Sequence, residues 1–296
     1  MGQSARVAGA RRARLGSVVD PLRDPDDPEL LDPHQERDLA GLVEAARVAS
    51  GAVRYGKVGR VGCATVVVNR DNPLPTGNHA CALYGSSAEV AGTLLRLERT
   101  FADIGRAEAV VFASPTTVAE IEGIADDAGW HAIEESVVVV HRGGTVDVSE
   151  VTVRPARDED LPGVAALLAD ELGLPMEGTG RLVRHLGQRL DDPRCVLLVT
   201  DDPDPGARRL LGFAAGFTER GVGLVEQLVV RPARRRRGLG GALAARAVAT
   251  LRSAGALLVA AQVEEGGAGD RFAEACGFVT GYPVTAYVRR VDELLD

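Results

Sequence analysis

Residues 225–249 read VEQLVVRPARRRRGLGGALAARAVA. An apolar run, Val225–Val230, has the composition of a strand and ends at Pro232, which cannot donate to a β-ladder. An Ala/Leu-rich run beginning near Leu239 has the composition of a helix. Between them lie a basic turn and two glycines spaced by one residue, Gly238 and Gly240. A strand that turns straight into a helix presents several unpaired backbone N–H groups at the positive end of the helix dipole. That arrangement suits an anion such as a pyrophosphate, which the arginines contact and the glycines admit to the main chain. The dinucleotide fingerprint G-x-G-x-x-G fails, because its third glycine falls at Leu243, and no G-K-[ST] follows.

Working outward, strands and helices alternate. Downstream the sequence predicts a strand at Ala256–Val263, a helix at Asp270–Ala275 and a long strand region at Phe278–Arg290, in which Pro283 marks a bulge or an edge. Upstream, strands are expected at Val151–Arg154, Val196–Thr200 and Leu210–Phe217, with helices across Asp160–Leu172 and Gly180–Leu190. The first half repeats the theme. A helix at 35–50 carries Leu39, Leu42, Val43, Ala46 and Ala49 on one face. Strands follow at Ala64–Val68, His79–Tyr84, Ala109–Ala113 and Ile133–His141. Two helices intervene, one capped by Ser86 or Ser87 and running to Ile104, the other at Thr116–Ala128. AEIEGIADDAGWHAIEESVVVV at 119–140 shares its layout with GDRFAEACGFVTGYPVTAYV at 269–288: a helix, a Gly-aromatic pair and a long strand. The fold class is therefore α/β, organised as two related lobes, with residues 34–145 forming the first and 149–296 the second. RGGT at 142–145 is the break. Residues 1–33, basic and then Pro/Asp-rich, have no apolar periodicity and are expected to be a disordered tail.

Composition narrows the function classes. The chain has 296 residues and 45% of them are hydrophobic, enough for a substantial core. The net charge of −8 argues against a general polyanion-binding protein and leaves room for a neutral or cationic substrate. Four cysteines without a C-x-x-C pair, and five histidines without H-E-x-x-H, predict neither a disulfide framework nor a metal site. No apolar run reaches the length of a membrane span, so a cytoplasmic protein without membrane or nucleic-acid partners is expected.

The string V-x-P-x-x-R-x-x-G-x-G, as Val230, Pro232, Arg235, Gly238 and Gly240, closely resembles the acyl-CoA pyrophosphate loop of the GNAT superfamily of N-acetyltransferases. The resemblance extends over 151–290: VTVRPARDEDLPGVAALL looks like the family's opening strand and helix, LLGFAAGFTERGVGLVEQLVVRP like its central hairpin, and RFAEACGF like its late helix. It implies two tandem GNAT-like lobes, each a mixed, mostly antiparallel sheet flanked by helices. The first lobe lacks R-x-x-G-x-G and looks degenerate; its corresponding junction is HACALYGSSAEVAG. The resemblance further implies acetyl-CoA as co-substrate and an amine acceptor, small molecule or protein, on a monomer or homodimer. The main chain of Leu228, Val229 and Val230 would pair with the pantetheine arm beside a bulge, and Arg235, Arg236, Arg237, Gly238, Leu239, Gly240 and Gly241 would take the pyrophosphate.

For the chemistry, the resemblance implies a glutamate base on the central strand, and Glu226 occupies that place, with Leu228 expected on the same face of the strand. A structural carboxylate is the alternative reading of Glu226. The family's tyrosine acid would stand at Ala273, and its asparagine near Gly266, so neither group is present. Tyr282 and Tyr287, on the following strand, are the substitutes to consider. Cys276, in an apolar setting with no histidine nearby in sequence, reads as packing. An acetyl-CoA-dependent N-acetyltransferase is the leading expectation; a non-catalytic acyl-CoA-binding regulatory protein is the alternative.

Overall fold

Among the described residues eleven strands form one open sheet, in the spatial order Lys57–Val61, Ala64–Val68, Asn78–Cys81, Glu108–Ala113, Phe278–Arg290, His131–His141, Leu258–Glu264, Val222–Val230, Leu210–Glu219, Cys195–Asp201 and Arg154–Pro155. The computed structural model describes residues 31–143, 151–174, 179–202 and 209–292. Residues 1–30 of the tail expected at 1–33, the segment 144–150 that holds the end of the expected lobe boundary, and most of the DDPDPGARR loop lie outside the described residues.

The first half runs α1 (Pro33–Gly51), β1 (Lys57–Val61), β2 (Ala64–Val68), β3 (Asn78–Cys81), α2 (Ser87–Asp103), β4 (Glu108–Ala113), α3 (Ile121–Asp127) and β5 (His131–His141). The second half runs β6 (Arg154–Pro155), α4 (Leu161–Glu171), α5 (Thr179–Leu190), β7 (Cys195–Asp201), β8 (Leu210–Glu219), β9 (Val222–Val230), α6 (Leu239–Ser253), β10 (Leu258–Glu264), α7 (Ala268–Ala275) and β11 (Phe278–Arg290). Each half is a mixed, mostly antiparallel set of strands flanked by helices. Only β3/β4 and β9/β10 pair in parallel. These two pairs occupy equivalent places: α2 connects β3 to β4 and α3 follows, as α6 connects β9 to β10 and α7 follows.

The halves are joined by exchanging their last strands. β5, the end of the first half, pairs with β10 of the second, while β11, the end of the second, pairs with β4 of the first; β5 and β11 pair with each other. From Thr285 to Val288 β11 has a partner on both sides. That stretch therefore has no free edge with which to join a second copy. Pro283 pairs only toward β5, since β4 begins at Thr285, and the register shifts at Gly281, two residues before it. Both features fit a residue without an N–H donor.

Alternation along the strands divides the helices between two faces. Leu197, Val199, Phe213 and Ala215 pack under α4 and α5, while Val196, Leu198 and Ala214 pack under α6. The α6 face also carries α7. α1 covers the central strands on the α4/α5 face, through Leu39, Ala40, Val43 and Ala46 against Val138, Leu224, Ala260 and Tyr282. α1 thus belongs to the first half by sequence and bridges both by packing.

Several boundaries differ from the sequence reading. Asp32 caps α1 through a capping box with Gln35, and Pro33 opens the helix, so the last residues of the expected tail belong to α1. Leu42 is exposed and the buried stripe includes Ser50. The helix expected from Thr116 starts at Ile121, because Ser114 and Thr116 are drawn into hydrogen bonds to Glu44. β1 was not anticipated: its KVGRV is almost wholly exposed, so burial imposes no alternating pattern to read.

Candidate functional site

The pairing of β9 with β10 stops at Val225↔Ala261, although β9 continues to Val230. Beyond that point β9 keeps only β8, in the register Ala214↔Leu228, Phe213↔Val229 and Gly212↔Val230. The two parallel strands therefore fork. At the fork the register to β8 jumps, with Gly216 opposite Val225 and Ala215 opposite Gln227, which leaves Glu226 as the extra residue of a β-bulge.

The bulge inverts the alternation of the strand. Before it, Val222 and Leu224 face α1; after it, Leu228 and Val230 face α6 and α7. Glu226 points to the α1/α5 side, so the expectation that Glu226 and Leu228 share a face fails: one inserted residue turns the following side chains over.

On the α6 side lies a cavity of 540 Å³ lined by Leu228, Val230, Arg235, Arg236, Gly238, Gly240, Gly241, Phe272 and Cys276, among others. Its floor is the start of α6. The first bond of the helical ladder is donated by Ala242 to the Gly238 carbonyl, so the N–H groups of Leu239, Gly240 and Gly241 precede the ladder and no side chain caps them. Gly238 is left-handed (φ 81°), a conformation that suits glycine, and Arg236 shares that region at φ 63°. Gly240 is small for a different reason than close anion approach: a Cβ there would meet the Phe272 ring at 3.2 Å. Glycine lets α7 lie against the start of α6.

The arginines divide their labour. Arg235 donates from Nε to the Val230 carbonyl (3.0 Å) and from Nη2 to Glu171 (2.6 Å), which fastens the loop to its strand and to α4. Arg231 donates to the Leu210 carbonyl and Arg234 pairs with Asp202. Arg236 and Arg237 are exposed and, among the described residues, have no ion-pair partner. The residues fit an acyl-CoA in donor chemistry: an uncapped helix start for phosphates, two unpaired arginines, and a strand edge at Leu228–Val230 that no neighbouring strand covers.

On the α1 side of the fork lies a second cavity, of 330 Å³, lined by Glu226 and Gln227 of β9, Ala261 and Gln262 of β10, Val43 and Arg47 of α1, and Leu74, Pro75 and Thr76 of the β2–β3 loop. Glu226 is held here by residues of both halves. Ser50 Oγ of α1 donates to Oε1 and Arg189 Nη2 of α5 donates to Oε2, while Arg189 Nη1 donates to Ser50 Oγ at 3.0 Å. The pair is largely buried, with side-chain exposures of 10% and 14%. Sequence reading missed Ser50 and Arg189. A signal existed for Arg189: with Leu182 and Leu186 it follows the i, i+4, i+7 spacing of a buried face.

Tyr282 is not brought to either cavity. It is 1% exposed in the core beneath α1, its hydroxyl has no hydrogen-bond partner among the described residues, and burial pushes its pKa well up. An acid role is therefore withdrawn. Tyr287 belongs to the first half's core, with Trp130 and Phe101. Ala273 is buried packing on α7. Cys276 lines the α6-side cavity, and burial raises its pKa, which keeps the thiol protonated. Among the described residues no group of His, Cys, Asp and Glu could hold a metal, and no helix is long and apolar enough to cross a membrane.

Comparison with known proteins agrees with this geometry. Residues 167–278 match the model of the acetyltransferase (GNAT) family. A GCN5-related N-acetyltransferase from Kribbella flavida superposes with a TM-score of 0.62 at 18% identity, over 84% of this chain and 95% of that one. One from Sphaerobacter thermophilus gives 0.56 at 15%, over 88% and 93%. A tandem GNAT protein from the clavulanic acid biosynthesis pathway gives 0.55 at 13%, over 88% and 94%. At these identities the likeness is one of fold, and it spans both halves. No curated protein matches the sequence.

Proposed function

We infer, from the premise that residues 167–278 are a GNAT-family acetyltransferase domain, that this protein transfers an acetyl group from acetyl-CoA to the amine of an acceptor held at the β9–β10 fork. The observation that carries the reading is the fork, with an uncapped helix start on one face of the sheet and a cavity holding Glu226 on the other. Acetyl-CoA would lie on the α6 side, with its phosphates at the N–H groups of Leu239–Gly241 and at Arg236 and Arg237. Its thioester supplies an electrophilic carbonyl and a thiolate leaving group.

The acceptor would enter from the α1 side. Attack by a neutral amine forms the C–N bond, the C–S bond breaks, and the amine proton is lost, ultimately to the thiolate or to water. Glu226 stands at the bulge between the two cavities and is the group placed to receive that proton, through water, or to orient the amine. Both its oxygens already accept hydrogen bonds, so Ser50 must give way or a water must join the cluster. Holding amine and thioester together across the fork is the larger contribution to rate.

The test is thermal unfolding with and without saturating acetyl-CoA, followed by release of the CoA thiol over a panel of amines. At about 100 times the dissociation constant the ligand adds roughly 2.7 kcal/mol of stability, a shift of several degrees. The Arg235→Glu/Gly238→Asp variant should lose that shift. Glu226→Gln should keep it and lower turnover by roughly 100-fold. A shift without turnover on any amine would favour an acyl-CoA-binding regulatory protein, which Ala273 and the pinned Glu226 already recommend as the second reading. No shift would remove both.

A further inference from the structure

Arg47 is the one cation on the walls of the 330 Å³ cavity. It is half-buried, on the last turns of α1, and among the described residues it makes no ion pair or hydrogen bond; its guanidinium lies 5.6 Å from the centre of the Phe112 ring. Its charge attracts Glu44 through space, but the Glu44 oxygens accept from Ser114 and Thr116, so the half-buried guanidinium has no hydrogen-bonded carboxylate and is completed by a ligand anion. Arg189, by contrast, is spent on Glu226 and Ser50. One helical turn separates Arg47 from Ser50, so their Cβ atoms stand roughly 5–6 Å apart on the same side of α1.

A third charge, Glu134 of β5, also lines the cavity and is exposed, with no ion-pair partner among the described residues. With Glu226 neutralised by Arg189, the charges left for a ligand are one positive and one negative. The remaining walls are apolar or amide: Val43, Leu74, Phe112, Leu224, Gln227 and Gln262.

The Leu74–Thr76 wall is held rigid. Asn78 donates to the Asn72 carbonyl at 2.9 Å, Asn69 donates to the carbonyls of Gly51 and Val53, and the Asn72 side chain accepts from Leu74 N–H, all buried. A wall so fixed, and a volume of this size, suit a small molecule rather than a flexible peptide.

The geometry points to an acceptor that is a small amine bearing a carboxylate, a free amino acid or close relative, whose carboxylate pairs with Arg47 while its amine lies toward Glu226 and Glu134. This rests on the acetyltransferase reading and assigns the first half the task of selecting the acceptor.

The experiment separates the two claims. The protein, saturated with CoA and also without it, is titrated calorimetrically with glycine, L-leucine and L-glutamate and with the α-carboxamide of each. At least one acid should bind 10-fold or more tightly than its amide, and Arg47→Gln should abolish that gap while leaving acetyl-CoA affinity within about 2-fold. Arg47→Lys should restore part of it. If transfer occurs, Arg47→Gln should raise KM for the acid at least 10-fold more than KM for simple alkylamines. Acids and amides binding alike, neither binding, or an acid preference that survives in Arg47→Gln would overturn the carboxylate anchor while acetyl-CoA binding still stands. Failure to bind acetyl-CoA, with the acid preference intact, would instead overturn the transferase reading.

Discussion

The same junction is built twice in this molecule and finished differently. In both halves a strand from the parallel pair runs into a helix on the same face of the sheet: β3 into α2, and β9 into α6. At α2 the chain supplies its own anion. Glu89, three residues into the capping box, accepts from the Ser86 N–H at 2.8 Å and from its hydroxyl at 2.7 Å, so a carboxylate already sits at the helix start. At α6 the corresponding positions are Gly238 and Gly241, with no side chain to turn back on the N–H groups. A helix dipole is present in both; only where the sequence withholds a cap is it left for a ligand. In the first half the helix that follows the parallel strand is thus closed by its own cap.

That contrast can be broken most sharply by copying α2 into α6. Gly241→Glu places a carboxylate three residues after the cap position, as Glu89 is in α2. Acetyl-CoA affinity should fall by at least 100-fold, about 2.7 kcal/mol, in calorimetry or as a lost thermal shift. The fold should survive, since the change adds an acidic residue at a helix N-terminus.

A smaller effect is expected from opening α2. Ser86→Ala should cost about 1 kcal/mol in urea unfolding, the usual range for losing such a cap. The cap is also pH-dependent. Hydrogen bonds from the Ser86 backbone and hydroxyl hold Glu89 below the ordinary carboxylate range, so its contribution is present above the unfolded-state value and lost as pH falls through the folded one. Between about pH 6 and pH 3, the melting temperature of Glu89→Gln should decline less steeply than that of the parent, other carboxylates being common to both.

The smallest change should come from Glu171→Gln at the mouth of the open site. Its pairing with Arg235 is half-exposed, so stability should move by less than about 1 kcal/mol. Removing a negative charge beside a phosphate site, and releasing Arg235 toward it, should tighten acetyl-CoA binding by roughly 3-fold. Weaker binding would mean that Arg235 matters as a fastening of the loop and not as a phosphate contact.

Local pattern carried much of this. The loop from Pro232 to Gly241, the strands around it and the helix after it were legible because glycine, proline and apolar spacing act within a few residues. The uncapped start of α6 belongs to that class: its N–H groups are local to one helix turn. Glu226 was legible as a residue of interest and not as a side chain with a direction, since a single bulge residue reverses which face follows. β1 escaped because an exposed strand carries no burial signature.

What the amino-acid sequence by itself determined is the α/β alternation, the doubled layout and the uncapped glycine loop before α6, all set by torsional preference and side-chain periodicity over short spans. Only the tertiary structure decided that β5 and β11 change places, that α1 crosses from one half to the other, and that Ser50, Arg189 and Arg47 gather around Glu226 and the fork. Ser50 and Glu226 alone are 176 residues apart along the chain. Their meeting depends on which strand edges pair and which apolar faces are covered, and local sequence does not encode either.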